Sequence, residues 1–135
     1  RANLEMTALR QFDCQFPAED LAAMRGLLDE MLQVPSGDLL AIVENDNRFH
    51  RIIVQRAGLP RLLKFWDDLN YGSLIAGVKS GPYHGDLAVR QNVIHTELYH
   101  ALASRDTEAA CQAVYDHYMK PLEALREAEK SAAAR

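Results

Sequence analysis

At 135 residues, 48% hydrophobic and 25% charged, the chain has the size and balance of a single soluble globular domain with one core. Its 15 Lys and Arg against 19 Asp and Glu leave a net charge of −4, which excludes the concentrated basic surface that binding nucleic-acid phosphates demands. No apolar run approaches the ~20 residues needed to span a bilayer, and no basic-then-apolar leader opens the chain, so a cytoplasmic protein without membrane contact is expected.

Period-two alternation is nowhere sustained, and turn residues recur at intervals of roughly twenty residues, the spacing of helical hairpins. The prediction is an all-α bundle forming one domain over residues 1–135. A first helix is expected over about 1–13. It opens on "RANLEMTALRQF" with neither an initiator Met nor a capping residue, which reads as a fragment lacking its N-terminal part. The break falls at "CQFPAED", where Pro17 suits a first helical turn and Glu19 and Asp20 complement the positive helix end. A second helix over about 17–33 carries Leu21, Met24, Leu27, Leu28, Met31 and Leu32 on one face, and "VPSGD" ends it.

The third helix should run from Ser36 or Asp38 to Ala57, with Gly58 as a left-handed stop. Pro60 then restarts a fourth through "RLLKFWDDLNYGSLIAGV". "KSGPYHG" reads as a loop, with His84 at its tip or as a cap. A fifth helix covers about 86–103. Asp106 caps a sixth that runs past Leu125, with Pro121 bending it, and the tail "EAEKSAAAR" is expected to fray. Cys14 and Cys111, far apart and in no CxxC arrangement, read as buried free thiols.

The apolar stripe of the third helix runs Leu39, Ile42, Val43, Asp46, Phe49, His50, Ile53, Ala57, so a carboxylate and an imidazole stand at core-facing positions four residues apart. A buried carboxylate needs compensation. An Asp46–His50 ion pair would supply it, and so would a metal ion. The last two helices bear on that choice. Their connecting turn centres near Arg105, with His95 ten residues before it and His117 twelve after, so an antiparallel hairpin brings both imidazoles to one height. Gln91, Ile94, Leu98, Ala101 and Leu102 share the face of His95, and Ala110, Ala113, Val114 and Leu125 that of His117.

Three core-facing imidazoles and a carboxylate suit a divalent cation, zinc first and nickel, manganese or iron(II) after it, and helical bundles build metal sites from facing helices. The remaining polar residues have blander readings. His100 lies about 140° around the helix from His95 and belongs to the surface. Trp66, with Phe65, Leu62 and Leu63, reads as packing, and Arg48 and Arg51 as solvated charge. Arg90 and Gln91 lie a turn before His95, and Arg90 is the candidate anion contact.

At these residues the chain resembles the FCD domain, the C-terminal sensor domain of FadR-subfamily GntR bacterial transcription regulators. "DNRFH" matches a D-x-x-F-H pattern at Asp46, Phe49 and His50. "GLPRL" matches at Gly58 and Leu62. "HTELYHALASRDTEAA" matches at His95, Leu98, Tyr99, Ala101, Leu102, Asp106 and Ala110, and "YDHYM" supplies His117. "RANLE" resembles the family's opening R-x-x-x-E at Arg1 and Glu5. Leu59, Ile94 and Arg105 depart from the usual Asn, Glu and Gly.

The resemblance implies an antiparallel bundle of six or seven helices. It implies a divalent metal held by Asp46, His50, His95 and His117 at the base of a cavity for a small organic acid, and beside that cavity Arg90, Arg1 and Gln91 are the candidate effector contacts on their own chemistry and position. It also implies a homodimer whose operator DNA is read through an N-terminal winged helix absent from these residues, the two-fold symmetry matching the operator. No catalysis is required. A metal-dependent hydrolase is the rival from another class, although there is no HExxH motif and neither Glu44 nor Glu97 is clearly inward-facing. A metal-free bundle that dimerises or takes an acyl ligand is the third reading.

Overall fold

Aspartates set three of the helix starts. The Asp38 side chain accepts from the Ala41 amide, that of Asp86 from the Ala88 and Val89 amides, and that of Asp106 from the Ala109 amide, each satisfying donors that the first turn leaves without a partner. The computed structural model describes residues 1–35, 37–69 and 86–133, without the side chains at 125 and 128. Among these residues there are six helices and no strand: α1 (Ala2–Gln11), α2 (Ala18–Met31), α3 (Leu39–Arg56), α4 (Pro60–Asp68), α5 (Leu87–Ala103) and α6 (Thr107–Ala133). The expected all-α bundle is what the chain forms.

Helix α1 lies against α6, α3 and α4, α2 lies against α5 and α3, and α5 and α6 form a hairpin. One apolar cluster joins α1, α2, α3, α5 and α6 through side chains such as Leu9, Met24, Phe49, Ile53, Leu102 and Val114. A smaller one, built on Met31, Ile42 and Ala88, seals the junction of α2, α3 and α5. Two side-chain amides, Asn45 buried and Asn92 half-buried, add cross-links to α2: Asn45 Nδ2 donates to Leu27 O at 3.0 Å and Asn92 Nδ2 to Leu28 O at 2.7 Å.

Several boundaries differ from expectation for physical reasons. α1 stops at Gln11 because Asp13 and Cys14 both adopt left-handed backbone, φ 51° and 52°, conformations that end a right-handed helix at once. Pro17 stands just before α2 in extended backbone, ψ 160°, and not in its first turn. Leu32, just past the end of α2, and Leu39, the first residue of α3, are exposed, while Asn45 and Val54 are buried beside the expected stripe, so the inward face of α3 is wider than one narrow row. α4 ends at Asp68. The rest of its expected span, the "KSGPYHG" stretch and His84 lie outside the described residues, as does Ser36. Pro121 interrupts α6 without ending it.

Gly58 takes φ 64° after α3, as a left-handed stop should. The turn from α5 to α6 uses the same conformation at Arg105, φ 62°, which for a residue with a Cβ costs about 1–2 kcal/mol. That short turn fixes the hairpin in which His95 and His117 come level. Both cysteines are free and buried, with Cys14 Sγ against Leu102 O.

Candidate metal centre

Asp46 and His50 project from successive turns of α3, His95 comes from the middle of α5, and His117 comes from α6 at the matching height. One ligand atom from each of the four lies within 4.8 Å of the others. His50 Nε2 is 3.2 Å from His95 Nε2 and 3.1 Å from His117 Nε2. Asp46 Oδ1 is 2.9 Å from His95 Nε2 and 3.9 Å from His50 Nε2. The buried ring of Phe49 packs roughly perpendicular to both His50 and His95, with centroids 5.7 and 5.2 Å away.

The far nitrogens decide what the near ones can do. His95 Nδ1 lies 2.7 Å from the carbonyl oxygen of Gln91, and a carbonyl only accepts, so that nitrogen carries the hydrogen. His50 Nδ1 lies 2.9 Å from Glu5 Oε2, a fully buried carboxylate, and donates likewise. In the neutral rings both Nε2 atoms then present lone pairs towards each other and towards Asp46. That crowding of acceptors is stable only around a positive centre, either an extra proton on an imidazole or a metal cation. Donor nitrogens bound to one cation at about 2.0–2.1 Å sit roughly 3.0–3.4 Å apart, the spacing found here, so the residues fit a divalent ion.

Glu5 was not among the residues singled out for the site. Its Oε1 accepts from Trp66 Nε1 at 2.8 Å and from the Tyr118 hydroxyl at 2.6 Å, while Oε2 takes His50. The signal was present: on α1 Glu5 shares the buried face with Ala8 and Leu9, the same anomaly of charge in an apolar stripe that marked Asp46. Trp66 is fully buried as packing would require, but its indole N–H also serves the centre through Glu5.

Electrostatics follow the contacts. Burial opposes ionisation of Asp46, yet the His95 hydrogen bond and the charge of the surrounding imidazoles outweigh it and hold the carboxyl well below its usual range. Burial also works against a proton on His50, but the charge and hydrogen bond of Glu5 raise its pKa above the ordinary histidine value. His117 goes the other way: burial, then the charge of His50 and His95, lower it well below that value. Burial and then Glu5 push the Tyr118 hydroxyl well above its ordinary range, so it stays protonated and donates.

His117 keeps some exposure and borders a cavity of about 460 Å³ between α5 and α6, whose walls include Arg90, Ile94, Leu98, Asp116 and Lys120. Arg90 is therefore placed beside the group, and Lys120, which no local pattern marks, joins it, 3.9 Å from Asp116 on the same wall. Gln91 is buried, contributes its carbonyl to His95 and does not line this cavity. Arg1 stacks over the Trp66 ring at 3.9 Å and donates to Asn47 Oδ1 at 2.8 Å. Glu97 lines the outer wall of the cavity, and Glu44 is exposed. Arg48 and Arg51 pair with Glu30 and Asp67, and His100 is exposed. A family model described as the FCD domain matches residues 1–120. No curated protein and no solved structure gives a significant match.

Proposed function

The chain belongs to the FCD domain family, and from that premise we propose that it is the effector-sensing domain of a GntR-type transcription regulator. In this reading Asp46, His50, His95 and His117 hold a divalent metal, and a small organic acid binds beside it. The observation that carries the reading is the convergence of imidazole lone pairs and the Asp46 carboxylate within 4.8 Å, inside the bundle. Three nitrogens and one oxygen suit zinc first, then nickel, manganese or iron(II). A bound cation supplies a fixed positive charge that offsets Asp46 and attracts a carboxylate.

The protein's own groups then select the acid. His117 is the ligand that borders the cavity, so the effector approaches from that side. Arg90 and Lys120 offer positive charge on the wall, with the Arg fork matched to a carboxylate. Ile94, Leu98 and Ala113 give the same cavity an apolar side, which favours an acid with a hydrocarbon or hydroxylated-carbon portion over a bare inorganic anion. Arg1 is a more distant candidate and Gln91 supports His95 from behind.

An effector that fits one arrangement of α5 and α6 better than another shifts the population towards it, and that differential affinity is what changes DNA affinity elsewhere in a regulator. Operator binding belongs to a winged-helix domain outside this chain, in a homodimer matched to a two-fold operator, in the cytoplasm. No helix of the described residues is long and apolar enough to cross a membrane. The test is elemental analysis of protein purified without chelator or nickel column, followed by thermal shift with mono-, di- and tricarboxylates in the presence and absence of chelator. A chelator-sensitive stabilisation by one acid class supports the reading, and protein with no stoichiometric metal refutes it. Ester or phosphate turnover that disappears in His95→Ala would replace the sensor with a hydrolase.

A further inference from the structure

We propose that Glu5 is the positioning residue of the metal centre: it locks His50 in the tautomer that binds a cation and ties α1 and α4, two helices that carry no ligand, to that cation. This rests on the metal-binding reading above. The ligands come from α3, α5 and α6, while Glu5 stands on α1 and Trp66 on α4. One carboxylate, fully buried, takes three hydrogen bonds from three helices: His50 Nδ1 at 2.9 Å, Trp66 Nε1 at 2.8 Å and the Tyr118 hydroxyl at 2.6 Å.

The physical logic has two parts. A carboxylate has no hydrogen to give, so the hydrogen of His50 must sit on Nδ1 and its Nε2 lone pair must face Asp46, His95 and His117. Because Glu5 also holds Trp66 and Tyr118, any movement of His50 towards a bound ion is passed through one rigid group to α1, α4 and α6. Trp66 is the single tryptophan of the chain, so its indole is a built-in reporter of that movement. In Glu5→Gln the amide must turn its NH2 either towards His50 or towards Trp66 and Tyr118, which share the other oxygen. With that NH2 facing His50, Nδ1 becomes an acceptor, the hydrogen moves to Nε2, and the nitrogen that should bind the ion is blocked.

The experiment uses the full chain with zinc as probe. Zinc affinity is measured by competition with a chromophoric chelator, the His50 tautomer by long-range proton–nitrogen NMR, and Trp66 by fluorescence. Glu5→Gln is expected to weaken zinc binding by about 10–100-fold and to shift neutral His50, read at a pH above its raised pKa, away from the Nδ1–H tautomer expected in wild type. Unchanged affinity with an unchanged tautomer in Glu5→Gln overturns the proposal. Should that variant not fold, the wild type decides: zinc-loaded protein must show His50 bound through Nε2 with Nδ1 protonated, and zinc must alter Trp66 emission. Binding through Nδ1, or an indole indifferent to zinc, overturns it. If wild-type protein binds no zinc, the metal reading itself fails, and the metal-free tautomer then tests the Glu5 lock separately.

Discussion

The two sides of the centre are built on opposite principles. At the back, His50 and His95 are almost fully buried, each far nitrogen is held by an acceptor, and Glu5 collects donors from three helices. At the front, His117 keeps some exposure beside a cavity with ionic and apolar walls. The back has one arrangement and the front has room for a ligand. A site of this kind needs both: rigidity fixes the ion's position, and only the open side can distinguish one small molecule from another.

The sharpest way to break that comparison is to remove one histidine from each side. His95→Ala should abolish stoichiometric zinc and also destabilise the metal-free protein by about 3 kcal/mol, since the buried Asp46 loses its closest partner. His117→Ala should abolish zinc as well but leave metal-free stability within about 1 kcal/mol, as expected for a partly exposed position. Denaturant melts of the two chelated variants check this, and equal destabilisation would erase the distinction between back and front.

Next in size is the response to protons. Zinc binding should release a proton over the pH range in which His50 is still protonated, measurable by calorimetry in two buffers of different ionisation enthalpy. The signs are set by contacts. Asp46 is already ionised, because its lowered value lies far below pH 7, and His117 is already neutral, because burial and the neighbouring imidazoles lower it. His50, whose pKa Glu5 raises against the effect of burial, keeps its proton to a higher pH than an ordinary histidine and gives it up to the ion. Zinc affinity should fall as the pH drops through the histidine range, with His50 taking its proton first and His117 only well below that range, and a flat profile between pH 5 and 8 would contradict a histidine site.

Smaller effects sharpen the account of the front. Arg90→Ala should weaken the thermal response to a carboxylate effector about tenfold in concentration while leaving zinc binding intact, because Arg90 lines the cavity without being a ligand. An equal loss of zinc in that variant would place Arg90 with the centre. Smallest of all, Arg105→Gly should stabilise the domain by about 1 kcal/mol by relieving left-handed backbone in the α5–α6 turn, with zinc affinity unchanged. A loss of zinc there would show that the arginine itself, and not the turn, sets the level of His95 and His117.

The amino-acid sequence determined the helices and the four side chains that cluster because both are written in local periodicity. Asp46 and His50 interrupt an apolar stripe four residues apart, and the distance of His95 and His117 from one turn is simple hairpin arithmetic. Only the tertiary structure decided the rest. The partners of Glu5 lie 45, 61 and 113 positions away, and no periodicity links residues at such separations. The early stop of α1 depended on left-handed backbone at Asp13 and Cys14, where Cys14 packs its sulfur against α5 at Leu102 O, a tertiary contact that local propensity does not encode. Which histidine is sealed and which faces a cavity is settled by how helices from both ends of the chain close around it.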